Sequence, residues 1–163
     1  MAGKTKHFKG FSIVDGDIRV TLNMSRFERQ FQRAQYQLDG AVMNSMVPFM
    51  PMVTGSFINA TRAASAAVQG SGEVYAAYGP QGRFLYEGKT MVDEKTGSTW
   101  ARRGAKKVLV SEFGGKTNAK PELSYTRQAH PIAQSHWFDA AKKADGKKWV
   151  RDVKRTAGGG QRG

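Results

Sequence analysis

The chain contains no cysteine. That excludes a disulfide framework, a thiolate nucleophile and a cysteine-ligated zinc, and it fits a protein made in a reducing cytoplasm. Histidine is scarce, with three copies, His7, His130 and His136. His130 and His136 are six apart, so a helix does not put them on one face at metal-ligand spacing. His130, next to Pro131, reads more simply as a helix-entry residue. Long apolar runs are missing too. The longest, from Ala41 to Ile58, is broken by Pro48, Pro51 and four polar residues, so it cannot span a bilayer as one helix. Met1 to Lys9 is charged with no apolar stretch behind it, unlike a signal peptide. Acidic residues are few: 13, against 26 Lys and Arg, for a net charge of +13.

Motifs of chemistry are also missing. Gly70-Ser71-Gly72 and Gly79-Pro80-Gln81-Gly82 lack a phosphate-loop lysine and the dinucleotide spacing, and they read as turns. There is no nucleophile elbow and no Ser-x-x-Lys pair. The carboxylate pairs are Asp15/Asp17, in a turn where Asp suits the geometry by itself, and Asp93/Glu94, in a basic stretch. Neither suggests two carboxylates held across a cleft. The expectation is a protein that is not an enzyme and has no cofactor and no metal.

What is present is a chain of 163 residues, enough for one modest core. Phe11, Ile13, Ile18, Val20 and Leu22 alternate around Asp15-Gly16, a hairpin signal. Residues 23–47 read as a long helix, with Ser25 and Glu28 as a capping box and Phe27, Phe31, Ala34, Leu38, Ala41 and Val42 on one stripe. Arg26, Arg29, Arg33 and Asp39 fall mostly off that stripe. Gly40 weakens the helix, and Pro48 and Pro51 end it. Residues 57–68 and 73–78 read as two extended segments. Residues 83–86 form one helical turn closed by Gly88. Residues 88–120 make a long basic loop or β-excursion in which Val108-Leu109-Val110 is the one apolar island. Pro131 opens a last helix, which Gly146 interrupts. The domain reading is a flexible basic arm over 1–10, a single domain over 11–155 carrying the basic loop 88–120, and a flexible tail over 156–163.

The charge is uneven. Residues 1–10 carry three positives, and residues 142–163 carry eight positives and two negatives. Such ends favour polyanions or acidic protein surfaces, although solvated, flexible ends account for them equally. Basic residues interleave with aromatics around Trp100 (Arg102, Arg103) and Trp149 (Lys147, Lys148, Arg151). Stacking on bases uses such groups. For Trp149, packing into the core with solvated neighbours is the stronger reading, given the context of Trp137, Val150 and Val153.

Three stretches in order resemble the minor capsid or head–tail joining proteins of long-tailed bacteriophages. They are the helix running into Val47-Pro48-Phe49-Met50-Pro51-Met52-Val53-Thr54-Gly55-Ser56-Phe57, then Tyr78-Gly79-Pro80-Gln81-Gly82-Arg83-Phe84-Leu85-Tyr86-Glu87-Gly88, then His130-Pro131 through Trp137-Phe138-Asp139-Ala140-Ala141-Lys142 to Trp149. Together they span residues 24–150. The hairpin and the basic arm have no counterpart in the family's pattern.

The resemblance implies an α+β fold, with the long N-terminal helix packed on an antiparallel β-sheet and a second, C-terminal helix. It implies a virion protein, assembled in the bacterial host cytoplasm, that acts by binding. Copies would form a sixfold or twelvefold ring in the neck, between portal-side and tail-tube proteins, around a channel for DNA. A ring component needs two opposed subunit surfaces. Arg102, Arg103, Lys106 and Lys107 are the first candidates for interface or DNA-channel contacts. Lys147, Lys148, Arg151, Lys154 and Arg155 are the second. Contact with the genome would be non-specific, and no membrane is involved. The competing reading is a free basic nucleic-acid-binding protein with no virion role. A hydrolase or nuclease using Asp93 or Glu94 is a third.

Overall fold

The computed structural model describes residues 11–15, 18–22, 24–100 and 102–158. The basic arm over 1–10 and residues 159–163 lie outside the described residues. The fold is α+β, as expected. Strands β1 (Phe11–Asp15) and β2 (Ile18–Leu22) precede helix α1 (Ser25–Met46) and a 3-10 turn (Val47–Phe49). Helices α2 (Ser56–Ala67) and α3 (Gly82–Glu87) follow. Strands β3 (Met91–Asp93) and β4 (Lys107–Leu109), a second 3-10 turn (Val110–Glu112) and helix α4 (Trp137–Ala157) complete the chain. The described residues form two compact units. The first is drawn from Met1–Ser45, Arg62–Tyr75 and Ala141–Gly163, and the second from Met46–Thr61 and Ala76–Ala140.

In the first unit the hairpin has the register that its alternation predicts. Asp15 pairs with Ile18 and Phe11 with Leu22, across a two-residue connection. Helix α1 buries Ala34, Val42 and Met43. The Trp149 indole N–H donates to Ser45 Oγ at 3.2 Å, and the Thr156 hydroxyl donates to Gln37 Oε1 at 2.7 Å. Partners later on α1 meet residues earlier on α4, so these two helices run antiparallel. Gly40 is a site of close approach: a Cβ there would meet Gln69 Nε2 at 2.7 Å, and that amide donates to Tyr36 O at 2.9 Å.

Asp39, off the apolar stripe in the sequence, is 4% exposed. Its Oδ2 accepts the backbone N–H of Gly70 at 2.7 Å and of Gly72 at 3.2 Å, and its Oδ1 accepts from Gln35 Nε2 at 2.7 Å. Gly70 and Gly72 have φ of 93° and 87°, which L side chains rarely adopt. The Gly-Ser-Gly turn is thus pinned to α1 by one buried carboxylate.

The two extended segments expected at 57–68 and 73–78 are overturned. Residues 56–67 are helix α2, and no strand runs over 73–78 among the described residues. Five alanines between 60 and 67 favour the helix, and Ile58, Thr61 and Ser65 bury a face at helical spacing. Thr54 Oγ1 accepts the Ser56 N–H at 3.4 Å at the helix start. Buried Thr61 satisfies its hydroxyl on Phe57 O, four residues back, at 2.9 Å. The hydroxyls of α2 then hold the following segment in place of a ladder. Ser65 Oγ accepts Tyr75 N–H at 3.1 Å, and Thr61 Oγ1 accepts Tyr78 N–H at 3.2 Å.

In the second unit, α3 is closed by Gly88 at φ 71°, as the Leu-Tyr-x-Gly stretch predicts. The basic excursion is a hairpin, with Met91 opposite Leu109 and Asp93 opposite Lys107. Lys89 bridges Glu122 on the far side. The apolar island Val108-Leu109-Val110 is divided: Val108 and Leu109 lie in β4, and Val110 opens the 3-10 turn.

The last helix does not begin at Pro131. Residues 130–136 spend their polar groups on other segments: His130 Nδ1 lies 2.7 Å from Met50 O, Gln134 N–H donates to Phe49 O at 3.0 Å, and His136 N–H donates to Tyr86 O at 2.8 Å. His136 sits at φ 51°, and α4 starts one residue later. Gly146 does not interrupt it. Thr156 and Ala157, expected in the flexible tail, belong to α4, which Trp149 and Thr156 tie to α1.

Trp137, at 0% exposure, is the hub of this unit. Its ring meets Phe57 at 5.9 Å and Tyr86 at 4.9 Å between centroids, both edge-on. Its indole N–H donates to Ala76 O at 2.7 Å. Met46, Met50, Val92 and Ala133 are buried in the same unit.

Candidate interaction surfaces

The first set of candidate residues lies on the loop between β3 and β4. Asp93 anchors it. Its carboxylate is 1% exposed, and Oδ1 accepts the N–H of Lys95 at 2.8 Å and of Thr96 at 3.1 Å. Oδ2 is buried without a hydrogen bond, with Arg102 Nε 3.8 Å away. Gly97 is buried at φ 69°, and a Cβ there would lie 2.6 Å from the Phe113 ring. Its carbonyl accepts the Thr117 hydroxyl at 2.7 Å. The loop is therefore braced at its base by a carboxylate and at its flank by a glycine.

The Lys95 and Thr96 N–H groups, in that order, hold the Asp93 carboxyl below its ordinary value; burial opposes them and Arg102 assists. A lowered folded-state pKa contributes stability above the unfolded value of 3.8. That stability is lost as pH falls through the folded value. Asp93→Asn should therefore unfold more easily than wild type at pH 7, with the difference shrinking in acid below about pH 4. Urea unfolding across this range measures it. An unchanged gap at every pH contradicts the assignment.

Arg102, Arg103, Lys106 and Lys107 are all exposed. Lys106 Nζ lies 3.4 Å from Glu94, and Lys107 Nζ donates to Thr99 O at 3.2 Å. Pairs this exposed hold little energy and exchange readily for other anions. Lys95 joins them; its place in an Asp-anchored turn is the signal that spacing alone did not expose. Trp100, between them, is 89% exposed.

The second set lies on α4. Lys147, Lys148, Arg151, Lys154 and Arg155 are exposed, and Lys143 extends the row by one turn. Lys143, Lys147, Arg151 and Lys154 recur at helical spacing over about 17 Å, opposite buried Trp149. Asp152 borders the row, 3.8 Å from Arg151 and 3.5 Å from Arg155. The two sets belong to different units, the loop to the second and the helix to the first. Core packing is what the structure shows for Trp149, which is buried.

The pair Asp15/Asp17 lies outside the residues whose side chains are described, and Asp93 and Glu94 do not converge on a common point. Asp93 is committed to the loop backbone, and Glu94 stands exposed beside Lys106. His130 is bonded to Met50 O, and His136 rests on Tyr86 with ring centroids 5.2 Å apart. Among the described residues no group of three His, Asp or Glu could hold a metal ion. Among the same residues no helix is long and apolar enough to cross a membrane. An open groove of about 650 Å³ runs along Lys120 to Tyr125 and Arg127. Compared with known proteins, the chain matches no family model, no curated protein and no solved structure.

Proposed function

We propose that this chain is a structural protein of a tailed bacteriophage particle, a ring-forming component of the neck that joins the DNA-filled head to the tail. One observation carries the reading. The three stretches that resemble the joining-protein family, far apart in sequence, converge on one cluster: Phe57 from the first, Tyr86 from the second and Trp137 from the third are in ring contact. Backbone bonds from Gln134 to Phe49 and from His136 to Tyr86 join the same three. Stretches that meet in this way build one scaffold, and the proposed protein would act through its surfaces.

The ring would be sixfold or twelvefold, with portal-side and tail-tube proteins as neighbours. The exposed loop and the α4 row are its candidate contacts with adjacent subunits or with phosphates in the channel, which need no sequence reading. The α4 row also favours a second reading, a free basic nucleic-acid-binding protein. That reading expects steeply salt-dependent binding and no place in a particle. Peptides of the chain in gradient-purified virions support the neck assignment, and their absence sinks it.

A further inference from the structure

We propose that the loop between β3 and β4 is a contact site for unpaired nucleic acid, with Trp100 stacking on a base and Lys95, Arg102, Arg103, Lys106 and Lys107 meeting the flanking phosphates. The starting point is Trp100. A tryptophan is the largest apolar side chain, and 89% exposure leaves nearly all of it in water. The other two tryptophans are buried and hydrogen-bonded. The stretch 93–100 that carries Trp100 is not slack: the Asp93 carboxylate, the Thr117 hydroxyl on Gly97 O and the Trp100 N–H on Ser98 Oγ at 3.1 Å fix its course. A braced loop loses little freedom when a ligand docks on it.

Charge selects the ligand. Between residues 94 and 107 five exposed cations face one exposed acid, Glu94. Of two candidate partners for this loop, a second copy of a chain with net charge +13 is the weaker. A nucleic-acid strand is a good one, because it offers phosphates to the cations and a flat face to the indole. The face must be open. In a duplex the neighbouring base pairs cover it, so the site should prefer unpaired or frayed bases and tolerate any sequence. The site stands on loop geometry and charge, independently of the neck assignment, and its test uses the isolated protein.

The full chain is titrated with oligothymidylate of about 20 nucleotides at about 50 mM salt, following tryptophan emission and the anisotropy of a labelled strand. The expected result is quenching of the solvent-exposed emission, with affinity falling as salt rises. Trp100→Ala should abolish the quench and weaken binding about fivefold to a hundredfold, and Trp100→Phe should weaken it less. A duplex of the same length should bind without quenching. Three results would overturn the proposal: no binding by wild type, binding unchanged in Trp100→Ala, or quenching that follows protein concentration without any oligonucleotide. The last would place the indole on a second copy instead.

Discussion

Trp137→Ala should destabilise the protein by about 3–5 kcal/mol, the largest effect expected of any single substitution described here. The indole is wholly buried, and its removal takes away two edge-on ring contacts and strands Ala76 O without its donor. It also leaves a cavity where three distant segments meet. Trp137→Phe keeps an aromatic ring against Phe57 and Tyr86 but loses the indole N–H, so its cost should fall between wild type and alanine. Urea unfolding followed by far-ultraviolet circular dichroism measures both. A loss below about 1 kcal/mol for the alanine variant would mean that the three stretches hold together without the hub.

Asp39→Ala should be the next most costly, at about 2–4 kcal/mol. It orphans the N–H groups of Gly70 and Gly72 in a turn whose positive φ values depend on being held. Asp39→Asn retains an acceptor for part of this set and should cost less. Asp145→Ala, on the less buried side of α4, is the control and should change stability by under about 0.5 kcal/mol. Amide exchange gives a local readout: the Gly70 and Gly72 protons should lose protection in Asp39→Ala while those of α4 keep theirs. Loss of protection spread evenly over the first unit would contradict the local role of Asp39.

These two residues mark what the sequence could and could not reveal. The hairpin, α1 and the helical turn closed by Gly88 were legible because each has a local cause: alternation around Asp-Gly, a 3.6-residue apolar stripe, and a glycine that tolerates positive φ. Helix α2 was misread as strand. Its alanines carry no periodic apolar signal, and its buried face is Ile58, Thr61 and Ser65, two of them polar. Pro131 suits a first helical turn, but α4 starts later because the His130 ring and the Gln134 and His136 N–H groups are bonded to Met50, Phe49 and Tyr86, partners remote in sequence. Asp39 reads as a solvated charge in any linear pattern; the return of the chain at Gly70 is what gives it backbone donors.

For the candidate contacts, residue type was legible and environment was not. The cations of the loop and of α4 could be picked from the sequence, and they are exposed. The commitment of Asp93 to its own loop depends on a turn geometry that only the fold creates. The same holds for the contrast between exposed Trp100 and buried Trp149.

Quantitative mass spectrometry of purified particles, scaled to the portal protein, tests the proposed place in the neck of a virion most directly. A neck ring predicts the chain at a fixed ratio of roughly half to one copy per portal subunit, constant between preparations. Absence from particles, or a ratio that falls with each further purification step, would contradict the account.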